Sequence, residues 1–107
     1  MTAMQINKTQ FEQWMAEGKT VVVDYWAPWC GYCRRIGPAY DKIAEEYGDR
    51  LAVAKVNIDE EPQLTEAQGV EVLPTLVLYK NGQAVQRVVA PKTKAAIDEF
   101  LQQGLTQ

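Results

Sequence analysis

The chain carries two cysteines, Cys30 and Cys33, and no histidine. Two thiols separated by Gly31 and Tyr32 stand about one helical turn apart if the segment opens a helix, which brings both side chains to one face within disulfide reach. Such a pair closes and opens by thiol-disulfide exchange. The lack of histidine removes Cys-His nucleophilic catalysis and every imidazole-based zinc site, and two thiolates supply only half of a closed structural zinc site. At or just before a helix start, Cys30 faces unpaired backbone N–H groups and the positive end of the helix dipole. Both stabilise a thiolate and lower its pKa. Cys33, one turn further in, is expected to be less exposed and to stay protonated, as the resolving thiol.

Two charged residues interrupt apolar strands. Asp24 lies within Val21-Val22-Val23-Asp24-Tyr25-Trp26, and Lys55 within Ala52-Val53-Ala54-Lys55-Val56. Burial raises a carboxyl pKa toward neutrality, which makes Asp24 the best candidate base in a chain without imidazole. Lys55, on the neighbouring strand, is placed to pair with Asp24 and moderate that shift, a structural rather than a catalytic part.

These residues need a strand-helix-strand frame, and the hydrophobic pattern supplies one. Thr20 to Trp26 is β-branched and aromatic nearly throughout, as expected of a central parallel strand covered on both faces. From Cys33 onward, Ile36, Tyr40, Ile43, Ala44 and Tyr47 recur at helical spacing before Gly48, with a kink expected near Gly37-Pro38. Leu51 to Ile58 is a second parallel strand, reached by a right-handed crossover. Phe11, Trp14 and Met15 predict a helix from about Thr9 to Glu17. Gln63 to Gln68 is a short helix behind Asp59-Glu60-Glu61, a run that reads as a solvated helix start. Asn81-Gly82, between Thr75 to Lys80 and Ala84 to Val89, signals a two-residue antiparallel hairpin in which Gly82 is a turn residue. After Pro91, the positions Ile97, Phe100, Leu101 and Leu105 form a last amphipathic helix capped by Thr93. With a weak first strand near Met4 to Ile6, the order is β-α-β-α-β-α-β-β-α. This is an α/β chain with a mixed five-stranded central sheet and helices on both faces, a three-layer sandwich in one domain over residues 1–107. Trp26 reads as core and Trp29, beside Cys30, as a surface contact. Tyr25, Tyr40 and Tyr47 read as packing.

Composition bounds the partners. A chain of 107 residues that is 47% hydrophobic can bury a core, and a net charge of −3 with only Arg34-Arg35 as an adjacent basic pair argues against nucleic acid or an anionic membrane. No apolar run approaches the length of a membrane span. Met1 to Asn7 lacks the basic and apolar regions of a secretory signal, so the expected compartment is the cytoplasm.

Val23-Asp24-Tyr25-Trp26-Ala27-Pro28-Trp29-Cys30-Gly31-Tyr32-Cys33 resembles the active-site stretch of the thioredoxin family. Pro38, Lys55-Val56-Asn57-Ile58-Asp59, Leu73-Pro74-Thr75-Leu76 and Lys80-Asn81-Gly82 match that family in type and spacing, so the resemblance spans the chain. It implies a thioredoxin fold and a thiol-disulfide oxidoreductase that reduces protein disulfides. Cys30 would attack the substrate disulfide and Cys33 resolve the mixed disulfide. Asp24 would relay protons to or from Cys33, and Pro74 would be a cis-proline beside the redox pair. The implied protein needs no bound cofactor or metal beyond the Cys30-Cys33 disulfide. It is recharged by a flavoprotein thioredoxin reductase using NADPH and acts as a monomer. An extended substrate is expected in a groove formed by Trp29, Gly31, Leu73 and Pro74, pairing with the Leu73 backbone.

Two positions depart from the family pattern. Tyr32 stands where proline is usual, and Ala90, followed by Pro91, where glycine is usual. Tyrosine has the backbone N–H that proline lacks, and an extra donor on the Cys30 thiolate would make the pair more oxidising. Arg34 and Arg35 add positive charge nearby. Cys-Gly-Tyr-Cys is also similar to the motif of periplasmic disulfide isomerases, so one alternative is the same exchange run as an oxidant or isomerase. Another is a dimeric module that shares a metal or iron-sulfur cluster through Cys30 and Cys33. Ala90 is expected to narrow the substrate groove.

Overall fold

The computed structural model of the protein describes residues 2–107. In chain order its elements are β1 (Met4–Gln5), α1 (Lys8–Ala16), β2 (Val21–Trp26), α2 (Gly31–Tyr47), β3 (Ala52–Asn57), α3 (Pro62–Ala67), β4 (Thr75–Lys80), β5 (Gln83–Val89) and α4 (Lys94–Leu105). The strands form one sheet in the order β1-β3-β2-β4-β5. β1 and β2 run parallel to β3, whereas β4 is antiparallel to both β2 and β5. The apolar run of β2 thus takes the central position, with every residue from Val21 to Tyr25 buried.

Side chains alternate across the strands, and the alternation divides the core in two. Val22, Leu76 and Leu78 pack with Ile36, Tyr40 and Ile43 of α2 and with Ile97, Phe100 and Leu101 of α4. Val21, Val23, Tyr25, Val77 and Tyr79 pack with Phe11 of α1 and Leu64 of α3. Helices α2 and α4 therefore cover one face and α1 and α3 the other, the three layers expected.

Local chemistry sets the element ends. Asn7 closes a capping box with Gln10, and Thr93 Oγ1 accepts from the Ala96 N–H. Helix α2 begins at Gly31 with Cys30 as its N-cap, the start the sequence places at or just after Cys30, and it continues as one helix through the exposed Pro38. The β4-β5 turn puts Asn81 at φ 55° and Gly82 at φ 79°, a pair of positive angles that lets a two-residue loop follow the strand twist.

Three readings change. Trp26 is only half-buried, with its Nε1 donating to Gln5 Oε1 at 3.1 Å, because β1 is too short to cover that end of the sheet. The run Asp59-Glu60-Glu61 is more than a solvated helix start. Asp59 accepts from the Trp29 indole, Glu61 Oε1 accepts the Lys8 N–H at 2.7 Å, and α3 has no side-chain cap. The tyrosines also do more than pack: the Tyr40 hydroxyl lies 2.7 Å from Ala54 O and 3.1 Å from Val22 O, so one proton ties α2 to both central strands.

Gly104 marks where α4 meets the sheet. A Cβ there would collide with Leu78 Cδ2 and crowd Gln86 Cβ at 3.3 Å. Gly104→Ala is expected to destabilise the fold by about 1–3 kcal/mol through overpacking, against the helix propensity it adds. Urea unfolding checks this; unchanged or increased stability would mean that Leu78 yields freely.

Candidate active site

Strand β2 ends at Trp26, and a turn closed by the Cys30 N–H on Ala27 O at 3.1 Å carries the chain straight into α2. Cys30 and Cys33 form a disulfide with their Cα atoms 5.3 Å apart, inside the range the bond accepts. The Cys33 N–H donates to Cys30 Sγ at 3.2 Å, so the sulfur itself satisfies one of the unpaired donors of the helix start. Cys30 is half-buried, whereas Cys33 is 4% exposed. Apart from its chain neighbours and its own helix backbone, nothing lies within 4 Å of the point where a Cβ on Gly31 would stand, so the space over Gly31 is open. The donor on Cys30 is thus the Cys33 N–H, while no hydrogen bond joins the Tyr32 N–H to it among the described residues.

Asp24 is 1% exposed, and its Oδ1 has no hydrogen-bond partner. It shares the strand face of Val22, the face covered by α2, whose first turn carries Cys33. Burial pushes its carboxyl up from 3.8 to about 7, and the charge of Lys55 opposes the rise. Lys55 is the register partner of Asp24 across β2-β3, but the two make no ion pair among the described residues. Its ammonium lies 4.4 Å from the Trp26 ring centroid, a cation-π contact in place of the expected salt bridge.

Three loops meet this end of the sheet. The Trp29 side chain is 67% exposed, with Nε1 donating to both Asp59 oxygens at 3.0 and 3.2 Å. The Leu73-Pro74 bond is cis, Pro74 is buried, and Thr75 after it pairs with Tyr25 of β2 and Val89 of β5. Ala90 follows Val89 and donates its N–H to Pro74 O at 2.8 Å. Its φ of 48° lies in the left-handed region that favours glycine. The Tyr32 hydroxyl donates to Pro91 O at 3.2 Å. Arg35 is a charge the sequence places near the thiolate, whereas nothing local in the sequence announces that the loops of Asp59 and Pro91 lie beside the motif.

Among the described residues, no three or more Cys, Asp and Glu side chains are grouped to hold a metal ion. Residues 2–103 match the Thioredoxin family model. The chain belongs to the thioredoxin family. It is 39% identical over 104 residues to Thioredoxin 1 of Nostoc sp., covering 96% of this chain and 97% of that one. Thioredoxin 1 of Synechococcus elongatus is 43% identical over 97 residues, covering 88% of this chain and 91% of the relative. The crystal structure of Malassezia sympodialis thioredoxin superposes with a TM-score of 0.85 at 35% identity, over 97% of this chain and 92% of that one. The membership and the cysteine pair at disulfide distance make the protein a thiol-disulfide oxidoreductase that reduces protein disulfides; the oxidant, isomerase and cluster-binding readings are not favoured.

Two stability measurements test the site. With Asp24 raised from 3.8 to about 7, the native state holds a proton that the unfolded chain releases between those values. Stability therefore falls as pH rises through that window, by on the order of 4 kcal/mol in full. Asp24→Asn removes the titration, so its advantage in urea unfolding is expected to grow from small near about pH 4 to several kcal/mol above about pH 7. A constant difference would mean that the carboxyl titrates normally. Ala90→Gly relieves a left-handed alanine, about 1–2 kcal/mol, against about 0.4–1 kcal/mol of added unfolded-chain freedom, so a net gain of about 0.5–1 kcal/mol is expected. A loss of stability would contradict it.

Proposed function

We propose that Cys30 is the attacking thiolate and Cys33 the resolving thiol, in one domain over residues 1–107. Cys30 Sγ attacks a substrate disulfide; a Cys30-substrate disulfide forms, and the other substrate sulfur leaves as a thiolate that takes a proton. Cys33 gives its proton to the Asp24 carboxylate and attacks Cys30 Sγ. The second substrate sulfur leaves, the Cys30-Cys33 disulfide forms, and two electrons have passed to the substrate. The observation that carries this reading is the Cys33 N–H on Cys30 Sγ at the start of a 17-residue helix, a fixed donor for charge on that sulfur alone. Lys55 tempers Asp24, so that its pKa of about 7 suits both taking and giving a proton near neutrality.

The substrate lies extended across Gly31 and the cis Leu73-Pro74 segment. The Leu73 N–H has no partner among the described residues, which leaves it to pair with a substrate carbonyl. Trp29 walls one side of this groove, and Ala90, held on Pro74, narrows another. The protein acts as a cytoplasmic monomer in electron transport and redox homeostasis, with no cofactor beyond its disulfide, and is recharged by a flavoprotein thioredoxin reductase using NADPH.

Insulin reduction and intact-protein mass spectrometry test these roles. Cys30→Ser is expected to abolish turnover. Cys33→Ser should accumulate a stable adduct on Cys30, and Asp24→Asn should slow resolution by about 10²-fold at pH 7. Adducts on Cys33, or activity left in Cys30→Ser, would reverse the assignment.

A further inference from the structure

The two ends of the redox motif are tied to different loops, and those loops carry opposite charge. The Trp29 indole is bound to Asp59 after β3, and the Tyr32 phenol to Pro91 before α4. In the sheet, β3 lies on one side of β2, and β4 and β5 lie on the other. Strands β2 and β3 end together because they are parallel, and Tyr25, Thr75 and Val89 pair across one row, so both loops reach the level of the motif and flank it. On the β3 side stand Asp59 and Glu60, exposed and without an ion pair among the described residues.

On the β5 side stand Arg35 and Lys92, with Arg34 next to Arg35 in the chain, all exposed. None forms an ion pair among the described residues, whereas nearby Lys94 is held by Glu46 and Asp98 at 2.7 and 3.0 Å. Tyr32 organises this rim. Its ring carries the Arg35 guanidinium at 5.8 Å from the centroid, and its hydroxyl holds Pro91, the residue before Lys92. On a chain of net charge −3, exposed cations without an ion pair on the rim that Tyr32 organises are a local reversal of sign.

We propose that this polarity selects and orients the protein substrate. An extended segment beside the target disulfide docks with acidic side chains against Arg35 and Lys92, and with neutral or basic ones toward Asp59 and Glu60. Tyr32 is the positioning residue of the rim. This rests on exchange chemistry at Cys30. Exposed charges of this kind act within a Debye length, about 8–10 Å at physiological salt, and govern encounter and register more than grip.

The test uses two disulfide-closed peptides, identical except for three glutamates or three lysines flanking the cysteines, with dithiothreitol as reductant. At about 20 mM salt the acidic peptide is expected to show a kcat/KM about five to ten times higher than the basic one, and at about 500 mM the ratio should fall toward one. The double variant Arg35→Glu, Lys92→Glu should invert the ratio, and a ratio cancels any change in Cys30 reactivity. Tyr32→Leu should lower the ratio through a higher KM for the acidic peptide, and the ratio cancels any change in exchange chemistry that the substitution brings to both peptides. Equal rates at low salt, or a preference that charge reversal does not move, would overturn the proposal. Hydroxyethyl disulfide, small and neutral, separates the two levels: if the parent protein reduces neither it nor the peptides, the exchange chemistry at Cys30 is wrong, whereas equal turnover of both peptides overturns only the polarity.

Discussion

The structure depends on one junction, the passage from a strand buried on both faces into a helix whose N-cap is a cysteine. β2 has no exposed side on which to place reactive groups before Trp26, so the chemistry must sit where the strand stops. A turn of Ala27 to Cys30 lets α2 begin there, and one N–H of its first turn, that of Cys33, is given to the sulfur. The N3 donor that a serine or aspartate would satisfy in an ordinary helix is here given to Cys30 Sγ. Capping and thiolate stabilisation are thus a single interaction. The rest of the sheet holds the junction still: the Tyr40 proton ties α2 to β2 and β3, and the pairing of Thr75 with Tyr25 brings the Leu73-Pro74 segment alongside.

Much of this was legible in the sequence, because the signals are local. The apolar run of β2, the helical period from Ile36 to Tyr47, Asn81-Gly82 and the Thr93 cap each act over a few residues, and each forms the element it announces. The Cys-Gly-Tyr-Cys spacing likewise fixed the disulfide, and a carboxylate amid valines implied a raised pKa. What was not legible is contact between distant loops. Asp59 looked like a helix start because its indole partner lies 30 residues earlier. Tyr32 was read for its backbone N–H, whereas its side chain reaches Pro91, 59 residues on. Lys55 was rightly placed beside Asp24 by strand register, but its ammonium had a choice between a carboxylate and an indole face, and no pattern in the sequence decides that.

Ala90 shows how a departure from a family pattern is absorbed. A left-handed residue is required there because the chain leaves β5 while its N–H turns onto Pro74 O. Glycine meets that demand without strain. Alanine meets it at a cost of about 1–2 kcal/mol, partly offset by a less flexible unfolded chain, and the cost is small beside the packing of the core on either side of it. The added methyl then stands beside the segment across which a substrate would lie.

The two sheet faces treat buried polar groups differently, and the difference locates the chemistry. On the α1-α3 face, Tyr79 donates to Gln68 Oε1 at 2.9 Å, which leaves the Tyr25 hydroxyl, 2.7 Å away, to donate to Tyr79. Every proton in that chain has an acceptor, and burial holds both phenols protonated, with Tyr79 pushed up to about 12 and Tyr25 higher still. On the α2-α4 face, Asp24 is buried as deeply, yet its Oδ1 has no partner. An orphan acceptor of this kind costs about 1–3 kcal/mol, and a neighbouring hydroxyl could have satisfied it as Gln68 satisfies Tyr79. Satisfying it would also stabilise the anion, lower the pKa from near 7 and bind the proton's acceptor site permanently. A group proposed to take a proton and release it again works best with that site left open, and among the described residues the one buried carboxylate oxygen without a partner lies on the face that carries Cys33.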